Sequence, residues 1–433
     1  MNKRYFTALT TALLAVAIAC AQTPAANTNI PVRIAIHLAQ EKGVFYGADD
    51  LSATLEMSNA SQQKMDAVLV TEITTDAGAP ITVLKTSVSL PEAGTIKQSF
   101  SHKVNEPGFY RVSAHLESGG KSGAATAFNL GYEPEKIVCP SSAKPDFATF
   151  WKNNLAELSK VEPRYSLVLL TNLCTEAQDL YEVRMHSFGD VVVGGHYLVP
   201  KKPGKYPTVV RFLGYSSGPS IPNRDNQPVI RYVASTRGQG VMKSQNIYGE
   251  WMAYRLDSRD DYYFRGAYLD TVRAIDFVCS RPEVDQSRLA VEGGSQGGAL
   301  SYICAALDTR VKFCMPTIPG FCDIPNFIAL TPWPGGIYRS YLAKNDKGVT
   351  QATMYAMLTY YDVKNFADWI TCPVYMGVGL QDHICPPRTN FAPYNLLKGE
   401  KRFVIYPETT HGIRGDDFHP KAYAWMIEKF GIK

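Results

Sequence analysis

The chain has 433 residues, of which 45% are hydrophobic and 19% charged, and its formal net charge is +4 at pH 7. This length suggests two or three domains, and the composition provides for a sizeable core, which argues against a disordered chain. The positive charge comes without a long basic block, which argues against a nucleic-acid partner.

Residues 1–21 have the features of an export signal. Two basic residues precede the apolar run Ala8–Ala19, which is too short to span a bilayer but has the length of a signal-peptide core. Two ends of the signal stay open, because Ala19-Cys-Ala21 fits a cleavage site and Ala17-Ile-Ala-Cys20 resembles a lipoprotein box. We therefore expect an exported bacterial protein, either periplasmic or anchored to a membrane through lipidated Cys20.

Residues 31–134 show short runs of alternating polarity separated by turn residues. Seven such strands in about a hundred residues predict an immunoglobulin-like β-sandwich. No catalytic pattern stands out there, so we interpret the domain as a structural or docking module, with carbohydrate binding as the alternative. The predicted strands are Val32–His37, Leu51–Met57, Ala67–Thr74, Ile81–Leu90, Ile96–Val104, Gly108–Leu116 and Ala124–Leu130.

Residues 140–433 alternate between strand-like and helix-like segments, which predicts an α/β domain. Asp146 is expected to cap a helix that runs to about Leu158. Three apolar runs begin the sheet and two end it: Leu180–Met185, Val191–Val199, Thr208–Leu213, Val374–Leu380 and Phe403–Tyr406.

Eight cysteines follow Cys20, and their spacing carries little information. They form no C-x-x-C pair and no Cys/His cluster with the spacing of a zinc site, so no metal is predicted. An exported protein permits disulfides, but the pairing cannot be deduced from the sequence.

The stretch around Ser295 has the pattern of a nucleophile elbow. The buried run Leu289–Val291 precedes Gly293-Gly-Ser-Gln-Gly297, and Ala299–Leu307 has helical character. Small residues on both sides of the serine let a strand turn sharply into a helix. Ser295 would then lie exposed at the carboxyl end of the sheet, where ligands bind in open α/β folds.

An acid and a base follow the serine in the chain order of α/β-hydrolases. Asp382 comes after the strand Val374–Leu380, and His411 comes after Phe403–Tyr406. All three residues therefore lie just beyond carboxyl ends of strands, where they can converge into a catalytic triad. His383 is a rival base, but a residue adjacent to Asp382 points away from it.

Acyl transfer also needs N–H groups directed at the developing oxyanion. One candidate is the backbone N–H of Gln296, directly after the nucleophile at a helix start. The other is the N–H of Tyr215, in the Gly-rich loop after an early strand.

From about Asp146 to its end, the sequence resembles the acetyl xylan esterase / cephalosporin-C deacetylase family of α/β-hydrolases. The resemblance implies a serine esterase that needs neither a metal nor an organic cofactor. It also implies catalytic roles for Ser295, Asp382 and His411, oxyanion contacts from Tyr215 and Gln296, and a structural role for Arg237 and Gln239. The matching segments are Arg237-Gly-Gln-Gly240, Tyr262-Tyr-Phe-Arg-Gly266, Arg281-Pro-Glu-Val-Asp285, Gly293-Gly-Ser-Gln-Gly-Gly298, Leu307-Asp-Thr-Arg-Val-Lys312, Asp382-His-Ile-Cys-Pro-Pro387 and Pro393-Tyr-Asn-Leu-Leu397.

The sequence departs from the family pattern in several places. Gly412 stands where the family usually has Glu, and Leu213 stands where it usually has His, which puts the preferred ester in doubt. The added amino-terminal domain leaves the oligomeric state open. An insertion between Cys322 and Asp362 is expected to form a lid or pocket wall, with Trp333 and Tyr338 as candidate pocket residues and core packing as the alternative.

These observations predict an exported esterase that removes acetyl groups from acetylated xylan, xylo-oligosaccharides or related small esters. A serine peptidase of the prolyl-oligopeptidase type shares the Ser-Asp-His order, although no propeller-like repeats precede the hydrolase region. A glycan-binding protein with a vestigial hydrolase fold is the alternative from another class, although no triad residue is missing.

Overall fold

A computed structural model describes residues 31–344 and 347–432. The chain divides into two compact units. One comprises the described residues up to Glu106 together with Tyr110–Tyr132, and the other comprises Pro107–Phe109 and the chain from Glu133 onward. The export signal with Cys20 lies outside the described residues. Within the described ranges, we find no helix with the length and hydropathy that a membrane span requires.

The first unit is a β-sandwich. One sheet has three strands in the order β1-β3-β6, and the other has five in the order β2-β8-β7-β4-β5. Alternate residues of both sheets pack into one hydrophobic core, in which Leu51, Val112 and Leu130 are fully buried. The seven predicted strands are confirmed, and β2 is an addition. The strands are β1 (Val32–Leu38), β2 (Val44–Phe45), β3 (Leu51–Asn59), β4 (Met65–Thr75), β5 (Pro80–Leu90), β6 (Thr95–His102), β7 (Gly108–Ser118) and β8 (Lys121–Tyr132).

The second unit is built on a nine-stranded sheet in the order β17-β16-β15-β14-β12-β13-β11-β10-β9. The six strands from β17 to β13 run parallel, and β11, β10 and β9 add antiparallel pairs at one edge. The strands are β9 (Ser166–Leu169), β10 (Gln178–Ser187), β11 (Val191–Pro200), β12 (Tyr206–Phe212), β13 (Ile230–Ser235), β14 (Val284–Gly294), β15 (Phe313–Thr317), β16 (Val374–Gly379) and β17 (Lys401–Tyr406).

Eight α-helices lie in the described part of this unit. Helices α2 and α3 are buried along most of their length, whereas α8 buries Phe418, Ala422 and Trp425 against the sheet. The helices are α1 (Phe147–Ser159), α2 (Tyr263–Cys279), α3 (Gln296–Leu307), α4 (Ile324–Leu330), α5 (Gly335–Lys344), α6 (Gln351–Leu358), α7 (Pro387–Leu396) and α8 (Gly415–Lys429).

The strand order locates the place where a ligand can enter. Strand β12 pairs with β13 on one side and with β14 on the other, so the chain runs from β12 to β13 and then crosses back over β12 to β14. In open α/β sheets, ligands bind at such a switch point, beyond the carboxyl ends of the strands. This arrangement confirms the predicted α/β-hydrolase fold, and Ser295 follows β14 directly.

Several local predictions were incomplete or wrong. Strands β9, β13 and β15 were not predicted. The sheet therefore has three more strands than the sequence indicated. Strands β13 and β15 are buried on both faces and so lack alternation, and Pro316 within β15 weakens its strand character, whereas β9 is a mostly exposed edge strand of only four residues. Asp146 precedes α1 but its side chain accepts no capping hydrogen bond. That carboxylate instead contacts the Tyr360 hydroxyl and Arg259.

Candidate active site

Ser295 lies in the turn between β14 and α3, in a backbone conformation that side chains rarely adopt. Its φ is 58° and its ψ is −120°. The conformation is held from both sides, because the Ser295 N–H donates to the Thr317 carbonyl at 3.0 Å and the Gly320 N–H donates to the Ser295 carbonyl at 3.0 Å. Such strain is characteristic of a nucleophile elbow, which presents the hydroxyl beyond the end of the strand.

The two glycines of the predicted pattern leave space that a side chain would fill. A Cβ atom on Gly293 would lie 2.5 Å from the Gly297 carbonyl oxygen. A Cβ atom on Gly297 would collide with the carbonyl of Phe212 at the end of β12. Strand β14, helix α3 and strand β12 therefore approach one another closely only because these positions are glycine.

The structure brings the predicted serine, histidine and aspartate into one row of hydrogen bonds. His411 Nε2 lies 3.0 Å from Ser295 Oγ, and His411 Nδ1 lies 2.8 Å from Asp382 Oδ2. The bridging ring belongs to His411 and not to the rival His383. The Asp382 side chain is fully buried, whereas a quarter of the His411 side chain is exposed.

The loops that carry the acid and the base are joined to each other. The second oxygen of Asp382 accepts hydrogen bonds from the N–H groups of Ile384, at 2.8 Å, and Cys385, at 2.9 Å. Gln381 donates from its backbone to the Thr409 carbonyl, at 2.9 Å, and from its side chain to the Pro407 carbonyl, at 2.8 Å. These contacts fix the carboxylate orientation with its other oxygen toward the imidazole.

The two predicted oxyanion donors are free to bind a ligand. No hydrogen bond within the described part of the chain uses the backbone N–H of Tyr215 or of Gln296. The end of β12 lies against the elbow, so the loop with Tyr215 is close to the start of α3. Unpaired N–H groups in these two neighbouring segments are suited to a carbonyl oxygen that gains negative charge.

Gln239 connects the loop of Tyr215 with the start of α3 at Gln296. The resemblance to the family implied only a structural role for Gln239. Its side-chain oxygen accepts from the Ser216 N–H, at 3.2 Å, and from the Gln296 side chain, at 3.2 Å. Its amide nitrogen donates to the Tyr263 hydroxyl at 2.8 Å. The neighbouring Arg237 is buried in a two-pronged ion pair with Asp270, at 2.9 and 2.7 Å, which holds the loop in place.

Tyr215 belongs to a cluster of aromatic side chains. Its ring packs edge-on against Trp251, with 4.9 Å between centroids, and against Trp333, with 5.6 Å. Its hydroxyl donates to the Glu250 carboxylate, and burial together with that carboxylate raises the pKa of Tyr215. Trp333 is 43% exposed. No pattern in the sequence predicted that Glu250 accepts a hydrogen bond from Tyr215.

The two candidate pocket residues of the insertion have different environments. Trp333 is partly exposed beside Tyr215, whereas Tyr338 is completely buried, with its hydroxyl 3.4 Å from that of Tyr262. The insertion itself consists of helices α4, α5 and α6 between β15 and β16. Tyr338 therefore has no surface in this structure that a ligand could contact.

The eight described cysteines are all free thiols. Cys385 is buried at the end of the acid loop, and burial raises its thiol pKa well above the ordinary value. Across the described ranges, three or more His, Cys, Asp or Glu side chains nowhere form a group that could hold a metal ion.

Comparison with known proteins places the chain in a family. The family model for acetyl xylan esterase matches residues 130–429. The acetyl esterase Axe7A of Xylanibacter ruminicola is 31% identical over 343 residues, which cover 76% of this chain and 74% of that protein.

Two solved structures are similar to about two thirds of this chain. The acetyl xylan esterase of Paenibacillus sp. R4 is 31% identical, with a TM-score of 0.64, covering 68% of this chain and 98% of that one. Acetyl xylan esterase 1 from Thermoanaerobacterium sp. JW/SL YS485 is 28% identical, with a TM-score of 0.62, covering 69% and 98%. This chain therefore belongs to the acetyl xylan esterase family and is a carboxylic ester hydrolase.

Proposed function

We propose that the protein is a serine esterase that removes acetyl groups from acetylated xylan, xylo-oligosaccharides or related small acetyl esters. The observation that carries the proposal is the row Ser295–His411–Asp382, with hydrogen-bond distances of 3.0 and 2.8 Å, at the carboxyl end of the parallel strands. A serine hydroxyl is a weak nucleophile unless a base accepts its proton and a third group orients that base.

The proposed reaction has two halves. His411 Nε2 accepts the Ser295 proton while Oγ attacks the acetyl carbonyl, and the same proton then passes to the departing sugar oxygen. Water, deprotonated by His411, attacks the acetyl-serine, which releases acetate and restores the Ser295 hydroxyl. Asp382 accepts from His411 Nδ1–H throughout and stabilises the imidazolium that forms in each half.

The proposed oxyanion hole consists of the N–H groups of Tyr215 and Gln296. Both are unpaired within the described part of the chain, and Gln296 begins a helix, where the helix dipole favours negative charge. Preorganised donors of this kind stabilise the charge of the tetrahedral intermediate more strongly than mobile water does.

The exposed face of Trp333 is the proposed contact for the sugar. Its ring packs against that of Tyr215, whose N–H is a proposed oxyanion donor, and it offers apolar surface to a pyranose ring. Because Tyr338 is fully buried, we assign it a packing role within the insertion.

The decisive experiment measures acetate release from p-nitrophenyl acetate and from acetylated xylo-oligosaccharides by the wild type and by Ser295→Ala. Loss of a nucleophile lowers kcat by about 10⁶-fold in a working triad. Ser287→Ala, in the same strand and far from the turn, is the matched control. Labelling of Ser295 by a fluorophosphonate without acetate release would favour another acyl group, and cleavage of a peptide amide would favour a peptidase. The absence of both labelling and turnover would favour a vestigial binding protein.

We also propose that the protein is exported through residues 1–21 and either released or anchored through Cys20. The support is the sequence pattern alone. Cell fractionation of the wild type and of Cys20→Ser, with metabolic labelling by a clickable fatty acid, separates the two forms. Lipid incorporation that requires Cys20 indicates an anchored protein, and a cytoplasmic product in both chains would refute export.

A further inference from the structure

A cavity of about 210 Å³ lies on the face of the nine-stranded sheet that α8 covers. Strands β12, β13 and β14 form its floor, and helix α8 and residues 222–225 form its walls. Ser295, Asp382 and His411 do not line it. Its charged side chains are Arg211, Arg231, Asp225 and Glu292, and His419 and Tyr423 of α8 also line it.

The polar groups lie where the hydrophobic cover of the sheet ends. Val209 and Ala290, on β12 and β14, belong to the core cluster beneath α8. Two residues further along the same strands, and so on the same face, stand Arg211 and Glu292, which are register partners. Arg211 is exposed there and Glu292 is buried, so the charged pair lies where the hydrophobic cover of the sheet opens to solvent.

The acidic groups of the cavity are already engaged. Asp225 accepts from the Arg231 guanidinium at 2.7 Å and from the Gln227 N–H at 3.2 Å. Glu292 accepts from the Tyr423 hydroxyl at 2.9 Å.

The basic groups retain unused donors. Arg231 Nε–H is a buried donor without a hydrogen-bond partner in the part of the chain that the structure describes, and His419 Nδ1, which donates in one of the two tautomers, has no partner there either. Arg211 forms no ion pair with any described residue. The formal charges of the two arginines and two acids balance, but the unmatched hydrogen-bonding capacity is that of donors, which an anion satisfies.

We propose that this cavity is a second binding site, separate from the serine site, for a small monocarboxylate anion. A guanidinium is suited to a carboxylate because its donors match the two oxygens. Val209, Val233 and Pro222 offer apolar surface to a short alkyl chain. The volume is below that of pockets for drug-sized ligands, and the nearby Glu292 and Asp225 disfavour an ion with two negative charges.

The site does not depend on the proposed function, although acetate, which deacetylation would release, belongs to this class of ligand. Isothermal titration calorimetry with sodium acetate and sodium propionate, at constant ionic strength set by sodium chloride, measures the binding. Acetamide and methylammonium chloride are the neutral and cationic controls. We expect one carboxylate to bind per chain and neither control to bind.

Variants of opposite expected effect identify the site. Arg211→Gln should weaken binding about tenfold or more, because a charge-assisted hydrogen bond is lost. Glu292→Gln should strengthen binding, because it removes a like charge while its amide oxygen can still accept from Tyr423. Arg184→Gln, another exposed strand arginine of the same sheet, should leave binding unchanged.

Carboxylate binding should persist in Ser295→Ala, and its loss in Arg211→Gln assigns the binding to this cavity rather than to the serine site. Arg211 is exposed on its strand, so its replacement should not disturb folding, which circular dichroism checks. Absence of binding in the wild type, equal binding in Arg211→Gln, or equal binding of acetamide would overturn the proposal, whether or not the protein proves to be a deacetylase.

Discussion

The side-chain amides of Gln239 and Gln296 pair with each other, with N···O distances of 3.2 and 3.4 Å. Gln239 also accepts from the N–H of Ser216, the residue after Tyr215. One amide therefore connects the two segments whose N–H groups we propose as the oxyanion hole. Gln239 itself is a positioning residue, because it acts through those segments.

Replacing Gln239 by Ala should lower kcat while leaving KM nearly unchanged. Loss of a whole oxyanion donor costs about 10²–10³ in kcat, and a displaced donor should cost about ten- to a hundredfold. Steady-state kinetics with p-nitrophenyl acetate gives the two constants separately. Gln286→Ala, on the exposed part of β14, is the control for a simple loss of an amide. An equal fall in both variants, or a rise in KM alone, would contradict a positioning role.

Much of this site could be predicted from the sequence because its residues lie at places with strong local signals. Ser295, Asp382 and His411 each follow a strand, and the elbow is marked by glycines that only a tight strand-to-helix turn requires. Gln239 was recognised only as part of a motif, because its effect depends on contacts with residues 23 and 57 positions away. Side-chain pairing over such separations leaves no periodicity in the sequence.

The fold, like the site, was predicted only where the sequence carries a local pattern. The strands of the sandwich were predicted nearly to their ends, since strands such as β3 and β7 alternate between buried and less buried residues. Strands β13 and β15 were missed, because both faces are covered and alternation disappears. The cavity under α8 could not be predicted, since it forms only where Arg211 and Glu292 become neighbours in the assembled sheet.

Gly412 offers a way to change the substrate preference without affecting stability. It follows His411, and a Cβ atom there would meet no other atom within 4 Å. Gly412→Glu should therefore fold normally, and its carboxylate should disfavour anionic esters. We expect kcat/KM for 4-acetoxybenzoate, relative to its neutral methyl ester, to fall about two- to fivefold.

Two controls show whether charge causes this change. Gly412→Gln has nearly the same size without charge and should leave the ratio at the wild-type value. Sodium chloride at about 0.5 M should reduce the effect of Glu, because it screens exposed charges. A similar change of the ratio in both variants would indicate a steric cause.

The two aromatic residues of the insertion should respond differently to replacement by Ala. Tyr338→Ala removes a fully buried ring and should cost about 3–5 kcal/mol of unfolding free energy. Trp333→Ala removes a partly exposed ring and should cost less than about 1 kcal/mol. It should raise KM for acetylated xylo-oligosaccharides about two- to tenfold, as expected for a lost ring contact.

Urea unfolding and parallel kinetics with p-nitrophenyl acetate make this comparison. The small ester lacks a sugar, so Trp333→Ala should leave its KM unchanged. If both substrates lose activity equally, Trp333 supports the site rather than contacting the sugar.

Cys139 should resist alkylation in the folded protein. Burial and the nearby Asp323 carboxylate raise the pKa of its thiol to about 11, and its sulfur lies 3.5 Å from Lys364 Nζ. A raised pKa keeps the thiol protonated, and only the thiolate reacts with iodoacetamide. At pH 8 we expect labelling about a hundredfold slower than in the urea-unfolded chain, whose thiol titrates near 8.5.

The pH dependence distinguishes this effect from simple inaccessibility. If the pKa is the cause, the rate in the folded protein should rise about tenfold per pH unit from pH 8 to 10, whereas the rate in the unfolded chain should level off above pH 9. Mass spectrometry of the Cys139 peptide after short pulses gives both rates. A folded-state rate that levels off near pH 9 would show that limited access, and not the charge of Asp323 or burial of the thiolate, protects Cys139.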